Sequence, residues 1–181
     1  FHSIFELLKK CPNLVVLYPM HKNPAVKAAF LKSLPNSNFF DSISQHLSIM
    51  EAEYSYLNRF LLFEPLCYID NIHLMTKIDI IVTDSGGIQE EGVSIGKPVF
   101  ILRDTTERPE GVMSGSAKLI GTSADSIFNQ IYSVLKNQTL LQIMSQAHFV
   151  YGDGTASEKI VNILADSMLE KPKEIVSPQI S

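Results

Sequence analysis

Cysteine is scarce: Cys11 and Cys67 are the only two among 181 residues, far apart and in no CxxC pair. Neither a metal nor a disulfide is therefore expected, and two buried free thiols in a reducing cytoplasm are. Basic runs are missing as well. Fifteen Lys and Arg against nineteen Asp and Glu leave a net charge of −4 and a pI near 5.7. That balance argues against a nucleic-acid surface and against a membrane-binding patch. Long apolar stretches are absent too, and runs such as that at 78–82 are strand-sized, far short of a bilayer span. The opening residues lack the charged-then-apolar form of a signal peptide. No internal repeat or low-complexity tract occurs.

What is present suits one α/β domain: 45% hydrophobic and 19% charged residues, enough chain to bury a substantial core. Ile4, Phe5, Leu7 and Leu8 recur at helical spacing until Pro12, so the chain opens within a helix, as a fragment of something longer would. Residues 14–18 (LVVLY) form a continuously apolar run, the mark of a parallel strand buried on both faces. After a turn, Pro24 stands at the first position of a helix reaching Leu34. The spacing then gives a loop at 35–38, patchy helical periodicity over 43–57, a strand at 60–63 and a short helix over 68–75. Residues 79–83 (DIIVT) make the clearest strand, leading through Asp84-Ser85-Gly86-Gly87 into a helix ending near Ile95, with Gly96 as its stop. A strand at 99–102, a polar loop over 103–110 and a weak strand at 118–120 follow. Ser123 caps a helix over 124–136, another runs over 140–148, and Thr155 or Ser157 caps the last, to about Leu169. Strands alternating with helices imply a parallel sheet with helices on both faces.

The junction at 83–91 carries the chemistry. The first N–H groups of a helix have no intrahelical partner, and the dipole adds partial positive charge there. Gly86 and Gly87 remove side chains that would keep an anion away, and Ser85 offers a hydroxyl. Ligands of open α/β sheets bind at such carboxyl ends of strands, so a pyrophosphate is the natural guest. Glu91 lies about one turn beyond Gly87, where a carboxylate can accept from both hydroxyls of a ribose. The plain alternatives are backbone geometry for the glycines and complementing the dipole for Glu90 and Glu91.

Residues 83–91 (TDSGGIQEE), 96–99 (GKPV), 103–110 (RDTTERPE), 121–122 (GT), 144–148 (MSQAH) and 151–154 (YGDG) stand in a specific order and spacing. In these blocks the chain resembles the non-hydrolysing bacterial UDP-N-acetylglucosamine 2-epimerases over most of residues 1–165. The resemblance implies two Rossmann-like domains in the glycosyltransferase-B arrangement, of which this chain would be the second. Residues 1–154 would form the UDP-binding domain, 155–170 a closing helix packing towards a missing N-terminal domain, and 171–181 a tail. The flank facing that domain would expose apolar surface. Ser85, Gly86 and Gly87 would hold the diphosphate, Glu91 the ribose, and Arg108 the phosphates; a surface ion pair with Glu107 or Glu110 is the alternative for Arg108. Arg103 and Asp104 would fix their loop. The implied reaction eliminates UDP to give 2-acetamidoglucal and adds it back with C2 inverted, interconverting UDP-N-acetylglucosamine and UDP-N-acetylmannosamine for cell-envelope polysaccharides. It implies no cofactor and no metal, a cytoplasmic homodimer, and catalytic acid and base groups outside this chain.

Departures from the family pattern bear on the site. Leu66 and Asn71 fall where many relatives place a glutamine and a phenylalanine against the uracil, which makes them the candidate base pocket. His21, in YPMHKNP, matches a block that in some bacterial members contacts a second, activating UDP-N-acetylglucosamine; a loop histidine bonded to backbone is the alternative. The stretch 35–56 would be an added surface excursion, and Phe149-Val150 replaces an Asn-Pro pair. Rival readings are a hydrolysing relative, a glycosyltransferase of the same fold, and an inactive remnant of a split gene.

Overall fold

A computed structural model describes residues 1–34, 52–146 and 148–169. The expected loop at 35–38, most of the helical pattern at 43–57 with the excursion, and the tail lie outside them. The chain runs α1 (His2–Lys10), β1 (Val16–Pro19), α2 (Pro24–Ser33), a 3-10 segment (Ala52–Arg59) and β2 (Phe60–Phe63). It continues through α3 (Tyr68–Lys77), β3 (Ile81–Thr83), α4 (Gly86–Ser94), β4 (Val99–Ile101) and α5 (Pro109–Met113). It closes with β5 (Ala117–Leu119), α6 (Ala124–Leu135), α7 (Gln138–Met144) and α8 (Ala156–Leu169). Helix α5, which begins in the last two residues of the stretch expected to be loop and runs past it, is an addition to the sequence reading. Pro109, which cannot donate, sits where a first helical turn tolerates it. Helix α7 starts and ends earlier than its periodicity suggested, because Asn137 caps it by accepting from Leu140 N–H at 3.0 Å.

Among the described residues all strand pairs are parallel, as the alternating pattern required. Their ladders fall into two groups, β1–β2 and β3–β4–β5, rather than one continuous sheet. Helix α1 joins them from its two faces. Phe5 and Leu8 pack with Phe30, Leu57, Phe60 and Leu62 under the first group. Leu7 packs with Phe100, Ile120, Ile131 and Val134 under the second. A third cluster, Met75, Ile81, Val93, Val99, Ile101 and Ala117, fills the opposite face of β3–β5. Here α4 lies so close to the strands that a Cβ on Gly92 would meet Val99 at 2.7 Å and Ile81 at 2.8 Å. Gly96, at φ 72°, takes the left-handed position that ends α4 and turns the chain into β4.

Helix α1 is thus packed within its own domain, against the expectation of an exposed flank there. Helix α8 does expose apolar residues: Ile160, Val161, Ile163, Leu164 and Met168 all face solvent. Both cysteines are free, but only Cys11 is buried. Cys67 is exposed, since it opens α3 and its thiol donates to Asp70 Oδ2 at 3.1 Å. Among the described residues no helix is long and apolar enough to cross a membrane.

The two-faced α1 is held at its C-terminal end by Arg59. Its guanidinium donates to the carbonyls of Leu8 (2.5 Å), Cys11 (2.8 Å) and Leu14 (2.7 Å). A planar fork satisfies a carbonyl that the helix leaves unpaired and puts a cation at the negative end of its dipole. Hydrogen bonds to charged groups contribute about 1.5–3 kcal/mol each and are not additive. Arg59→Ala is therefore expected to cost at least ~2 kcal/mol in urea unfolding, and Arg59→Lys to recover less than half of that. A loss below ~0.5 kcal/mol would show that the fork contributes little.

Candidate functional site

The site follows from strand register. Thr83 pairs with Ile101 and Ile101 with Leu119, so β3, β4 and β5 end level with one another. Beyond them, Leu102 N–H donates to Thr83 O, and Gly121 N–H to Arg103 O. The turns at 84–85, 102–108 and 120–123 consequently emerge side by side at one edge. The end of β1 lies nearby: burial, and then the Asp84 carboxylate, push the Tyr18 phenol above its ordinary value. A cleft of about 380 Å³ opens at the ends of β4 and β5, lined among others by Arg103, Asp104, Gly121 and Thr122.

At the β3–α4 turn, Ser85 is the N-cap residue, yet its side chain makes no capping hydrogen bond. The first α4 amide with a helical acceptor is that of Gln89, which donates to Ser85 O at 3.2 Å. The N–H groups of the glycine pair thus have no capping side chain. By contrast, Asn23 caps α2 at 2.9 Å and Ser123 caps α6 at 3.2 Å. Neither Gly86 nor Gly87 takes a positive φ, so these glycines are required, if at all, by close approach rather than by conformation. A Cβ on Gly87 would meet nothing within 4 Å, so open space faces it. A Cβ on Gly86 would meet Arg108: Cζ and Nη1 at 2.5 Å and Nη2 at 2.8 Å. The guanidinium therefore lies directly against the first residue of α4.

Arg108 reaches that spot because its loop is fixed at three points. Its backbone N–H donates to Thr106 Oγ1 at 3.1 Å, and Thr106 donates to Oε1 of the buried Gln89 at 2.9 Å. Its carbonyl accepts from the Tyr151 hydroxyl at 3.3 Å, which itself accepts from Gly111 N–H at 2.9 Å. Its side chain bonds Glu90 through Nε and Glu107 through Nη1. Bonding to Glu90 first, and then the charges of Glu90 and Glu107, hold the guanidinium above its ordinary value. The pairing weighed in the sequence is present for Glu107, whereas Glu110 forms no ion pair with the described residues. Glu90, read as a complement to the helix dipole, is instead a partner of Arg108. Arg103 bonds Glu107 at 3.3 Å, in the loop.

Glu91 is half-buried, one turn into α4, and its carboxylate forms no ion pair with the described residues. The other candidates stand elsewhere. Leu66 lies in the segment between β2 and α3; Asn71 is on α3, where its Nδ2 donates to Met75 Sδ at 3.4 Å. His21 is exposed just past β1, and its Nδ1 accepts from Asn23 N–H at 3.1 Å, a loop histidine bonded to backbone. Sequence reasoning missed Gln89, Thr106 and Tyr151 as supports. The only signal was that each falls inside one of the shared blocks.

Comparison with known proteins bears on the whole arrangement. Residues 1–165 match the family model for UDP-N-acetylglucosamine 2-epimerase. The Bacillus subtilis UDP-N-acetylglucosamine 2-epimerase is 41% identical over 164 residues, 91% of this chain and 38% of that protein. A solved structure of Staphylococcus aureus MnaA with UDP superposes with TM-score 0.75 at 37% identity, covering 94% of this chain and 42% of that one. The Neisseria meningitidis UDP-GlcNAc 2-epimerase bound to UDP-GlcNAc gives TM-score 0.74 at 36% identity, covering 91% and 39%. The chain spans about two fifths of the length of the relatives it matches.

The last shared block also has a structural use. Asp153 Oδ1 accepts from the Thr155 hydroxyl at 2.5 Å and its N–H at 3.0 Å, and Lys159 approaches Oδ2 at 3.2 Å, where α8 begins. The Thr155 hydroxyl first, then its N–H, then Lys159 lower the Asp153 carboxyl from 3.8 to about 2. Because the folded value is the lower one, this contribution to stability is complete above pH 3.8 and disappears as pH falls towards about 2. An NMR titration of the carboxyl carbon should show a midpoint near 2, returning upward in Thr155→Val. A wild-type midpoint near 3.8 would mean that the cluster does not form in solution.

Proposed function

We propose, from the premise that the chain belongs to the UDP-N-acetylglucosamine 2-epimerase family, that it is the part of such an enzyme that holds the UDP of the nucleotide sugar. The observation that carries this is the Arg108 guanidinium lying against Gly86 at an N-terminus of α4 that no side chain caps, with open space over Gly87. Unpaired N–H groups, the dipole and a guanidinium beside them form a cradle for a diphosphate. As UDP leaves the sugar, charge grows on the β-phosphate, and fixed donors bind that charge more strongly than they bind the ground state. Glu91, free of an ionic partner among the described residues and one turn further on, accepts from the ribose hydroxyls. Leu66 and Asn71 line the uracil side, and Asn71 must turn from Met75 to do so. His21 has an exposed ring for an activating nucleotide sugar.

No residue of this chain is assigned the proton transfer at C2, which needs acid and base groups placed on the sugar. That chemistry belongs to a further, N-terminal domain, as the greater length of the relatives suggests. Residues 1–154 then act as the nucleotide domain, and 155–170 as a helix that crosses to the other domain. The exposed apolar residues of α8 support that crossing, since such a face is normally covered. In the assembled cytoplasmic enzyme, a homodimer, the reaction is elimination and re-addition of UDP with inversion at C2.

The chain alone should bind UDP weakly, near a millimolar constant or about −4 kcal/mol, because half the cleft walls are missing. Backbone resonances at 85–91 should shift on titration. Gly87→Ala separates stability from binding. The new methyl meets open space in a helix, so the variant should be as stable as wild type or up to ~1 kcal/mol more so. It should nonetheless weaken UDP, and Gly87→Val should abolish it, because the methyl groups occupy the space of the phosphates. Undiminished UDP shifts in Gly87→Val would refute the assignment.

A further inference from the structure

Arg108 is gripped by two carboxylates in unlike settings. Glu90, on α4 one turn beyond Gly86, takes the Nε–H. Glu107, next to Arg108 in the loop, takes Nη1 with Oε1 at 2.5 Å while its Oε2 takes Arg103 at 3.3 Å. The Glu107 side chain is 58% exposed, that of Glu90 42% and that of Arg108 27%, so Glu107 is the outermost of the three. A guanidinium offers its donors along fixed edges. With Nε committed to Glu90, the edge left for a phosphate is Nη1–Nη2, the atoms that crowd the Gly86 Cβ position at 2.5 and 2.8 Å. Glu107 already engages Nη1, one of the two nitrogens of that edge.

We propose that Glu107 is a built-in stand-in for the diphosphate, displaced from Arg108 when nucleotide binds, and that Glu90 is a positioning residue that stays on Nε throughout. This rests on the reading of Ser85–Gly87 and Arg108 as a nucleoside diphosphate site. Charge explains the division of labour. Arg103, Arg108, Glu90 and Glu107 sum to zero, so a diphosphate arriving with both carboxylates in place meets no net positive charge. The carboxylate to leave is the one that loses least. Glu107 is the better hydrated, and Arg103 remains beside it, so its release strands no charge. Glu90 has no second cationic partner among the described residues, and its departure would free the guanidinium to rotate off Gly86. Until nucleotide arrives, Glu107 pairs the Nη1 end of a guanidinium whose Nε is already fixed by Glu90, which limits the rotamers that end can sample.

The test is UDP titration of the chain by NMR, following backbone amides at 85–91 and the Arg108 Nε–H. Glu107→Gln, and equally Glu107→Ala, should bind UDP about two- to fivefold tighter, the range of one exposed ion pair. Glu90→Gln should bind roughly tenfold weaker, from loss of a charge-assisted bond that aims the guanidinium. In wild type the Nε–H resonance should hold its position as UDP saturates, a signature that a merely structural Glu90 would not give. Equal or weaker binding by both Glu107 variants, or loss of the Nε–H signal position on saturation, overturns the displacement. A wild-type chain that gives no UDP shifts overturns the nucleotide reading itself, whereas UDP binding that is indifferent to residue 107 overturns this inference alone.

Discussion

The level ending of three parallel strands is the constraint on which the rest of the molecule depends. Thr83, Ile101 and Leu119 stand abreast, so the loop bearing Arg108 rises beside the turn bearing the glycine pair. A one-residue slip in β4 would turn Val99 and Ile101 away from the core cluster they share with Ile81 and Val93. The register is therefore enforced by burial, and the meeting of guanidinium and helix end follows from it. Gly92 tightens the same arrangement, because only a residue without a Cβ lets α4 lie this close to Ile81 and Val99. Hydrophobic packing on one face of the sheet thus sets the position of charge at its edge.

Those features were legible in unequal measure. The β3–α4 junction could be read from the stretch 79–87 alone, because a DIIVT run meeting two glycines has few other solutions. The caps at Asn23, Ser123 and Asn137 are local, and local chemistry survives in sequence; the first two helices they open began where the reading put them. What escaped depends on distance along the chain. The Arg59 fork closes α1 across 45 to 51 residues, and the Tyr151 hydroxyl holds the Arg108 loop across 43. No spacing rule reaches that far. Glu90 misled for a related reason: an acid near a helix start has a ready local meaning, and its true partner lies 18 residues away. Helix α5 was hidden because five charged residues in RDTTERPE read as loop, while Pro109 and the Tyr151 hydroxyl supply the helix start.

Membership of the family gives these contacts a shared purpose. The blocks RDTTERPE, MSQAH and YGDG are separate in sequence, yet they form one support around α4 and α5. His148 N–H reaches Val93 O and Ser116 reaches Gln146 O, so the later blocks brace the earlier ones. Asp153 then ties the end of that brace to the start of α8. On the proposed reading, the result is an anion cradle with one exchangeable element, the Glu107 carboxylate, at its outer rim.

A crystal structure of the chain grown with UDP would test the cradle most directly. The β-phosphate should lie within hydrogen-bond distance of the Gly86 and Gly87 N–H groups and of the Arg108 Nη1–Nη2 edge, with the ribose hydroxyls on Glu91. Ordered UDP at any other place on the domain, with Arg108 still bound to both carboxylates, would contradict it.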